Sequence, residues 1–283
     1  MFNKLSNSWE LVKASAQVLK ADKELVVFPL LSFGAFLLTL VVFFLPLAFF
    51  NLGSAFADSS GVATVEIMAY VFGFLFYFIT TFIMIFFNSA LVGAALIRLD
   101  GGDPTVADGL RIARQHLGAI LGWSLLAASV GMILKAARER AGWLGSVVVG
   151  MIGIAWNLAT FLVVPVLVTH NLGPIDALKE SARLLKKTWG EQIAGNLGIG
   201  AVVGLAFLLY SLIAVPIIVL AVSTGTAALI IAAIVCVALG YGALALVSAT
   251  LSGIYSAALY RFATTGEAGF IDRRLLQQAF QPK

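Results

Sequence analysis

Charge is what this sequence has least of. Only 11% of its 283 residues are Asp, Glu, Lys or Arg, while 61% are hydrophobic, and mean hydropathy is +1.02. A soluble domain carries about 25% charged and roughly 45–50% apolar residues. A soluble globular enzyme, a disordered chain and a nucleic-acid binder are therefore excluded. Cysteine is nearly absent too. Cys236 stands alone inside an apolar run, which leaves no disulfide framework and no thiolate metal site. The two histidines, His116 and His170, have no His or Cys neighbour at ligand spacing, so a capping or headgroup-facing role is expected of them. The P-loop, Gly-x-Ser-x-Gly and His-Glu-x-x-His patterns are missing. Asp100, Asp103 and Asp108 lack the alternating ligands and closing Glu of a calcium loop. Neither catalysis, a cofactor nor a metal is expected.

What is there in quantity is long apolar runs. A membrane-spanning helix needs about 20 apolar residues to cross a hydrocarbon core ~30 Å thick. Six segments qualify, at about 25–50, 66–97, 117–134, 144–169, 192–221 and 226–260. The first begins near Leu25 and includes Phe43, Phe44, Phe49 and Phe50, too long and bulky a run for a secretory signal; it is expected to be an uncleaved span. No charge occurs from Gln192 to Tyr260, and Ser223-Thr224-Gly225-Thr226 marks a tight hairpin within that stretch. Backbone groups in lipid must bond internally, so the spans are helices. Glu66, Arg98 and Arg261 sit at span ends, and no ionisable side chain lies near a span centre. That argues against an ion-coupled pump, whose spans carry such groups.

The expected fold is all-α: one membrane domain over 1–283, with six transmembrane helices in three hairpins and an amphipathic interfacial helix before spans one, three and five. Its parts are an amphipathic helix at 1–24, a first hairpin at 25–97, a helix plus hairpin at 98–169, another at 170–262 and a tail at 263–283. Each amphipathic segment predicts an apolar stripe. These are Leu5, Trp9, Val12, Ala16 and Leu19; Val106, Leu110, Ala113 and Leu117; and Ile175, Leu178, Ala182, Leu185 and Trp189. Asn7 and Glu10 suggest the start of the first helix. Asp103-Pro104 predicts an N-cap with proline at the first helical position, and Gly173-Pro174 starts the third. Fifteen of the 18 basic residues fall on the side shared by the two termini and the second and fourth loops. The exceptions are Lys135, Arg138 and Arg140, read as a helix end reaching headgroups. The basic bias places both termini in the cytoplasm. Helices basic on one face and apolar on the other lie in the headgroup plane. Trp9, Lys13, Lys20, Arg111, Arg114, Lys179, Arg183, Lys186 and Trp189 are accordingly candidates for a surface that meets anionic lipid or an unidentified protein partner. Asn88, Asn157 and Asn196 are candidates for an intramembrane polar path.

Two further patterns are present. Ala94-Ala-Leu-Ile-Arg98 echoes Ala257-Ala-Leu-Tyr-Arg261, which aligns Arg111 with Arg274 and Leu117 with Phe280. Sixteen of the 21 Phe but only four of the 27 Gly lie in the first 90 residues. Small residues permit close helix packing in lipid. Gly118/Gly122 and Gly200/Gly204, with Gly195, Gly198, Gly240, Gly242 and Gly253, therefore predict a tight core in spans three to six and a peripheral Phe-rich hairpin. Pro165 and Pro216 are the prolines expected to kink spans.

Residues 9–32, WELVKASAQVLKADKELVVFPLLS, resemble the opening of an uncharacterised family of six-span bacterial and archaeal membrane proteins. Residues 161–191, FLVVPVLVTHNLGPIDALKESARLLKKTWGE, resemble the wider pattern of that family. They are more distantly similar to the membrane domain attached to some glycerophosphodiester phosphodiesterases. The resemblance implies six spans in a prokaryotic cytoplasmic membrane and supplies no catalytic residue. The expected role is a non-catalytic membrane scaffold or accessory module, the alternative a lateral-access carrier for an apolar or lipid-like substrate.

Overall fold

The computed structural model describes residues 13, 15–49, 63–170, 172–189 and 199–266. Helix fills 91% of it, with no strand among the described residues. Residues 15–21 are helical and lead through a 3₁₀ turn, Lys23–Val26, into α1 (Val27–Phe49). Then follow α2 (Ala63–Leu99), α3 (Val106–Gln115), α4 (Leu117–Arg140), α5 (Trp143–Thr160), α6 (Val163–Thr169), α7 (Pro174–Trp189), α8 (Ile199–Ser223) and α9 (Ala227–Thr265). Six helical segments are long and apolar enough to cross a membrane: Lys23–Pro46, Ile67–Leu99, Leu117–Arg140, Trp143–Thr169, Val202–Ser223 and Ala227–Thr265. Each overlaps one of the six apolar runs. The chain divides into two compact units, Met1–Val26 with Ala95–Asp103 and Lys187–Lys283, and Val27–Ala94 with Pro104–Lys186.

In the second unit, α1 and α2 are joined by aromatic rings. Phe43 and Phe44 each meet Phe72 and Phe76, with centroids 5.1–6.4 Å apart and mostly edge-to-face. That geometry sets the positive ring edge against a negative face. Helices α4 and α5 form the next hairpin, with Trp123 stacked on Trp156 at 5.9 Å. The fourth span is not continuous. Pro165 has no N–H to offer the Phe161 carbonyl, and the helix breaks at Phe161-Leu162, one turn before the proline. Pro216 lies inside an unbroken α8.

In the first unit, α8 and α9 form the hairpin expected from the sequence, turning through Thr224-Gly225-Thr226 with Gly225 at φ +65°. Tyr210 donates to the Val237 carbonyl at 3.1 Å. Ser211 and the Tyr241 hydroxyl pair at 2.7 Å. Gly240 is where Tyr210 crosses, and a Cβ there would overlap its hydroxyl.

The short helices between the spans bury a line that overlaps the expected stripes at Ala113 and Leu185 but is shifted toward small neighbours. Along residues 15–28 the inward positions are Ser15, Val18, Asp22, Leu25 and Phe28; on α3 they are Gly109 and Ala113; on α7, Ala177, Ser181, Leu184 and Leu185. Two bulky members of the expected stripes turn outward: Leu117 is 39% exposed and Ile175 59%. Burying Leu gives little drive beside lipid, whereas small residues let backbones approach. The expected tight glycine core also needs correction. Gly118, Gly204 and Gly242 face open space, while close approach occurs at Gly93, Gly109, Gly122 and Gly240. The Phe-rich first hairpin does not stand apart from the last one: its two spans are 17% and 6% buried, against 6% in each of the last two. Leu5, Asn7, Trp9, Glu10, Val12, Gly195, Asn196, Gly198, Arg273, Arg274 and Phe280 lie outside the described residues, as do the side chains of Lys187, Trp189 and Gly200.

A Cβ at Gly109 would overlap Phe28 and stand 2.6 Å from the Ala90 carbonyl, whereas Gly153 faces open space. Gly109→Ala is expected to destabilise by about 1–3 kcal/mol, the range of overpacking. Gly153→Ala is expected to stabilise by about 0.5–1 kcal/mol through backbone entropy. Thermal unfolding of the two variants in detergent checks the opposite signs.

Candidate functional site

The charged side chains gather at the helix ends, in two places. In the first unit the cluster forms around the end of α2. Arg98 closes α2 and donates through Nη1 to the Gly102 carbonyl at 3.2 Å and to Asp103 Oδ1 at 3.1 Å. Arg261, from the last turns of α9, donates through Nη1 to the Leu99 carbonyl and pairs through Nε with Asp100 Oδ1 at 3.1 Å. The last carbonyls of a helix have no partner of their own. Here Arg261 supplies a donor to the terminal Leu99 carbonyl, while Arg98 holds the loop just beyond it, the two arginines coming from segments whose sequences echo one another. Gly101 at φ +89° turns the chain between them. Ala-Ala-Leu-x-Arg was the visible signal, but the sequence did not show that the two copies meet at one loop.

Asp22 belongs to the same unit and was not anticipated. It is buried, with Oδ1 accepting the Glu24 N–H at 3.2 Å. Its Oδ2 and the Nε of Arg98 are both buried with no hydrogen-bond partner among the described residues. Burial pushes the Asp22 carboxyl above the usual carboxylate range, against the opposing pull of the Glu24 N–H and the Arg98 charge.

In the second unit, α3 and α7 carry the candidate surface. The N-cap of α3 is Thr105 rather than Asp103, and the helix begins at Val106, so Pro104 precedes the cap. Thr105 Oγ1 accepts the Asp108 N–H, and Asp108 Oδ2 accepts the Thr105 N–H at 3.0 Å, a reciprocal box. Asp103 is free for Arg98 because it does not cap. The Thr105 hydroxyl and N–H hold the Asp108 carboxyl below its ordinary range, and Arg111 adds to this from 2.6 Å. On α7, Lys179 pairs with Asp176 and Arg183 with Glu180, both exposed cations. Arg183 keeps the Glu180 carboxyl low and is itself raised by it. Lys186 is exposed, as are Lys13 and Lys20 in the other unit. Arg111, Arg114, Ala107, Leu110 and Gln115, one face of α3, line an open groove of about 380 Å³.

Ser181 was also missed. It donates to the Ala159 carbonyl at 2.7 Å and accepts the Leu162 N–H at 3.0 Å, bridging the break between α5 and α6 from α7. Of the polar-path candidates, Asn157 is exposed on α5 and Asn88 is half-buried on α2. His116 joins α3 to α4, its Nδ1 3.0 Å from the Ile112 carbonyl, and His170 ends α6. Among the described residues no cluster of three His, Cys, Asp or Glu could hold a metal ion.

Six helices long and apolar enough to cross a membrane mark a multi-pass helical membrane protein. The chain belongs to a family of unknown function (DUF6159), whose model matches residues 65–270. The opening resemblance at 9–32 lies outside that match. The comparisons give no support to the more distant likeness to phosphodiesterase membrane domains. No curated protein and no solved structure matches the chain.

Two outcomes test the first cluster. Arg261→Ala is expected to lose about 1–3 kcal/mol, since it strips charge-assisted bonds from a carbonyl and a carboxylate. Arg261→Lys should recover little of this, because a single ammonium cannot reproduce the fork; a double-mutant cycle with Asp100→Ala measures the coupling. The second concerns pH. The folded pKa of Asp22 lies above its unfolded value, so the folded state binds the proton more tightly. Its ionisation subtracts from stability above that folded pKa, and the loss is relieved as pH falls toward the unfolded value. Asp22→Asn, which keeps the acceptor for Glu24, should raise the thermal midpoint at pH 7 and flatten the gain on acidification. A lower midpoint would mean that Arg98 stabilises the ionised form.

Proposed function

We propose that the protein is a non-catalytic scaffold or accessory module of a prokaryotic cytoplasmic membrane, with both termini in the cytoplasm. The observation that carries this reading is the outward face of α3 and α7. Their small residues pack inward, while Arg111, Arg114, Lys179, Arg183 and Lys186 stand exposed beside Leu117 and Ile175. Each basic residue near an anionic leaflet adds about 1 kcal/mol of attraction, and outward apolar side chains seat such a helix in the headgroup layer. Orientation follows from the 15 of 18 basic residues on one side. The missing catalytic motifs and charge-free span centres support a role without turnover.

The test is mass spectrometry of the full chain extracted with its lipid annulus by a membrane-solubilising polymer. A protein partner at fixed stoichiometry, lost in Arg183→Ala or Trp189→Ala, is the expected result. A lipid or small molecule enriched inside the bundle without any partner would replace the scaffold with the carrier.

A further inference from the structure

The open groove on α3 sets two arginines and an amide beside apolar side chains. Positions 107, 110, 111, 114 and 115 form a single helical stripe, and the structure places all five along its wall. The opposite side of α3 is fixed. Gly109 lies against Phe28 and the Ala90 carbonyl, Ile112 packs over Gly93, and Thr105 and Asp108 close the N-terminus. The groove therefore sits on a helix that cannot roll. Arg111 is steadied at 2.6 Å by Asp108. Arg114 is exposed, with no ion pair or hydrogen bond among the described residues. Two guanidiniums one turn apart offer forked donors that match the oxygens of a phosphate, and Gln115 adds an amide at the same edge. Leu110 and Ala107 extend the wall as apolar surface.

We infer that this groove binds the headgroup of a single anionic phospholipid of the phosphatidylglycerol type, with the phosphate between Arg111 and Arg114 and a headgroup hydroxyl at Gln115. The occupant is a lipid rather than a soluble anion on two grounds. The α3 helix leads directly into the membrane-crossing α4 through His116, and the groove combines cationic with apolar lining. One charge-assisted site also differs from the general attraction of exposed lysines, which lacks fixed geometry. The inference rests on the proposed membrane-surface reading of α3, and deepens it.

Native mass spectrometry of the full chain, released from bilayer discs of phosphatidylcholine containing phosphatidylglycerol, provides the test. One phosphatidylglycerol should be retained in preference to phosphatidylcholine by roughly tenfold. Arg114→Gln and Arg111→Gln should abolish that preference. Lys23→Gln, an exposed cation of the 3₁₀ turn outside the proposed surface, should keep it. Arg114→Lys should retain only part, because charge without the fork remains. An unchanged thermal midpoint in Arg114→Gln excludes unfolding as the cause, and Arg114 has no partner whose loss would unfold the chain. Equal retention of both lipids, equal loss in Lys23→Gln, or displacement by millimolar inorganic phosphate would each overturn the inference. The scaffold reading fails separately, on the absence of a stoichiometric partner.

Discussion

A backbone carbonyl or N–H without a partner is costly wherever water is excluded, and in hydrocarbon the cost reaches several kcal/mol. Much of what fixes this protein answers that constraint at the points where helices stop. Arg98 and Arg261 serve the end of α2. Ser181 serves both sides of the break between α5 and α6, one hydroxyl donating to Ala159 and accepting from Leu162. Thr105 and Asp108 serve the start of α3. Three polar arrangements with different chemistry thus fill the same need; the first two join segments distant in sequence, and the third is local to one helix start.

The same constraint bears on which side of the short helices turns inward. In water, a stripe of Leu and Trp marks the buried face because apolar area is removed from solvent. Beside lipid that gain largely vanishes, and contact is governed by how closely two backbones can approach and by which polar groups need partners. Gly109 and Ala113 on α3, and Ala177 and Ser181 on α7, are small enough to come close. Ile175 can face the hydrocarbon edge without penalty. An amphipathic pattern still identifies a helix here, while which face turns inward is read from the small residues.

That distinction decides how much the sequence could disclose. Six spans were legible because length and apolarity set them directly. The α8–α9 turn was legible because Gly225 occupies the left-handed region that favours glycine. Start and stop signals were less complete: Asp103-Pro104 looked like a cap, yet Thr105 with Asp108 offers a reciprocal box and Arg98 draws Asp103 away. Pro165 was expected to disturb its span, and it does so one turn earlier because the missing N–H is owed to Phe161. Ser181 and Asp22 carry no local signature. A serine that bridges a helix break nineteen or more residues away, and a carboxylate buried behind a helix end, become visible only when distant segments are brought together. Gly118 and Gly204 gave the reverse error, since small residues allow close packing without requiring it.

The arginines show why residue type and spacing alone cannot assign a role. Arg98 and Arg261 occupy matching places in the repeated Ala-Ala-Leu-x-Arg, while Arg111 and Arg114 follow on an amphipathic helix; in sequence all four read as cations at a membrane edge. What separates them is the local supply of acceptors. Arg98 and Arg261 have carboxylates and the carbonyls of a helix end within reach, which uses their donors internally. Arg111 has one carboxylate, and Arg114 has no acceptor among the described residues. A guanidinium offers five N–H donors and cannot shed its charge, so one that the fold leaves unsatisfied must find oxygens in its surroundings. At the edge of a bilayer those oxygens are water and lipid phosphate. The division between arginines that hold this protein together and arginines with donors to spare is thus set by where the fold leaves carbonyls and carboxylates.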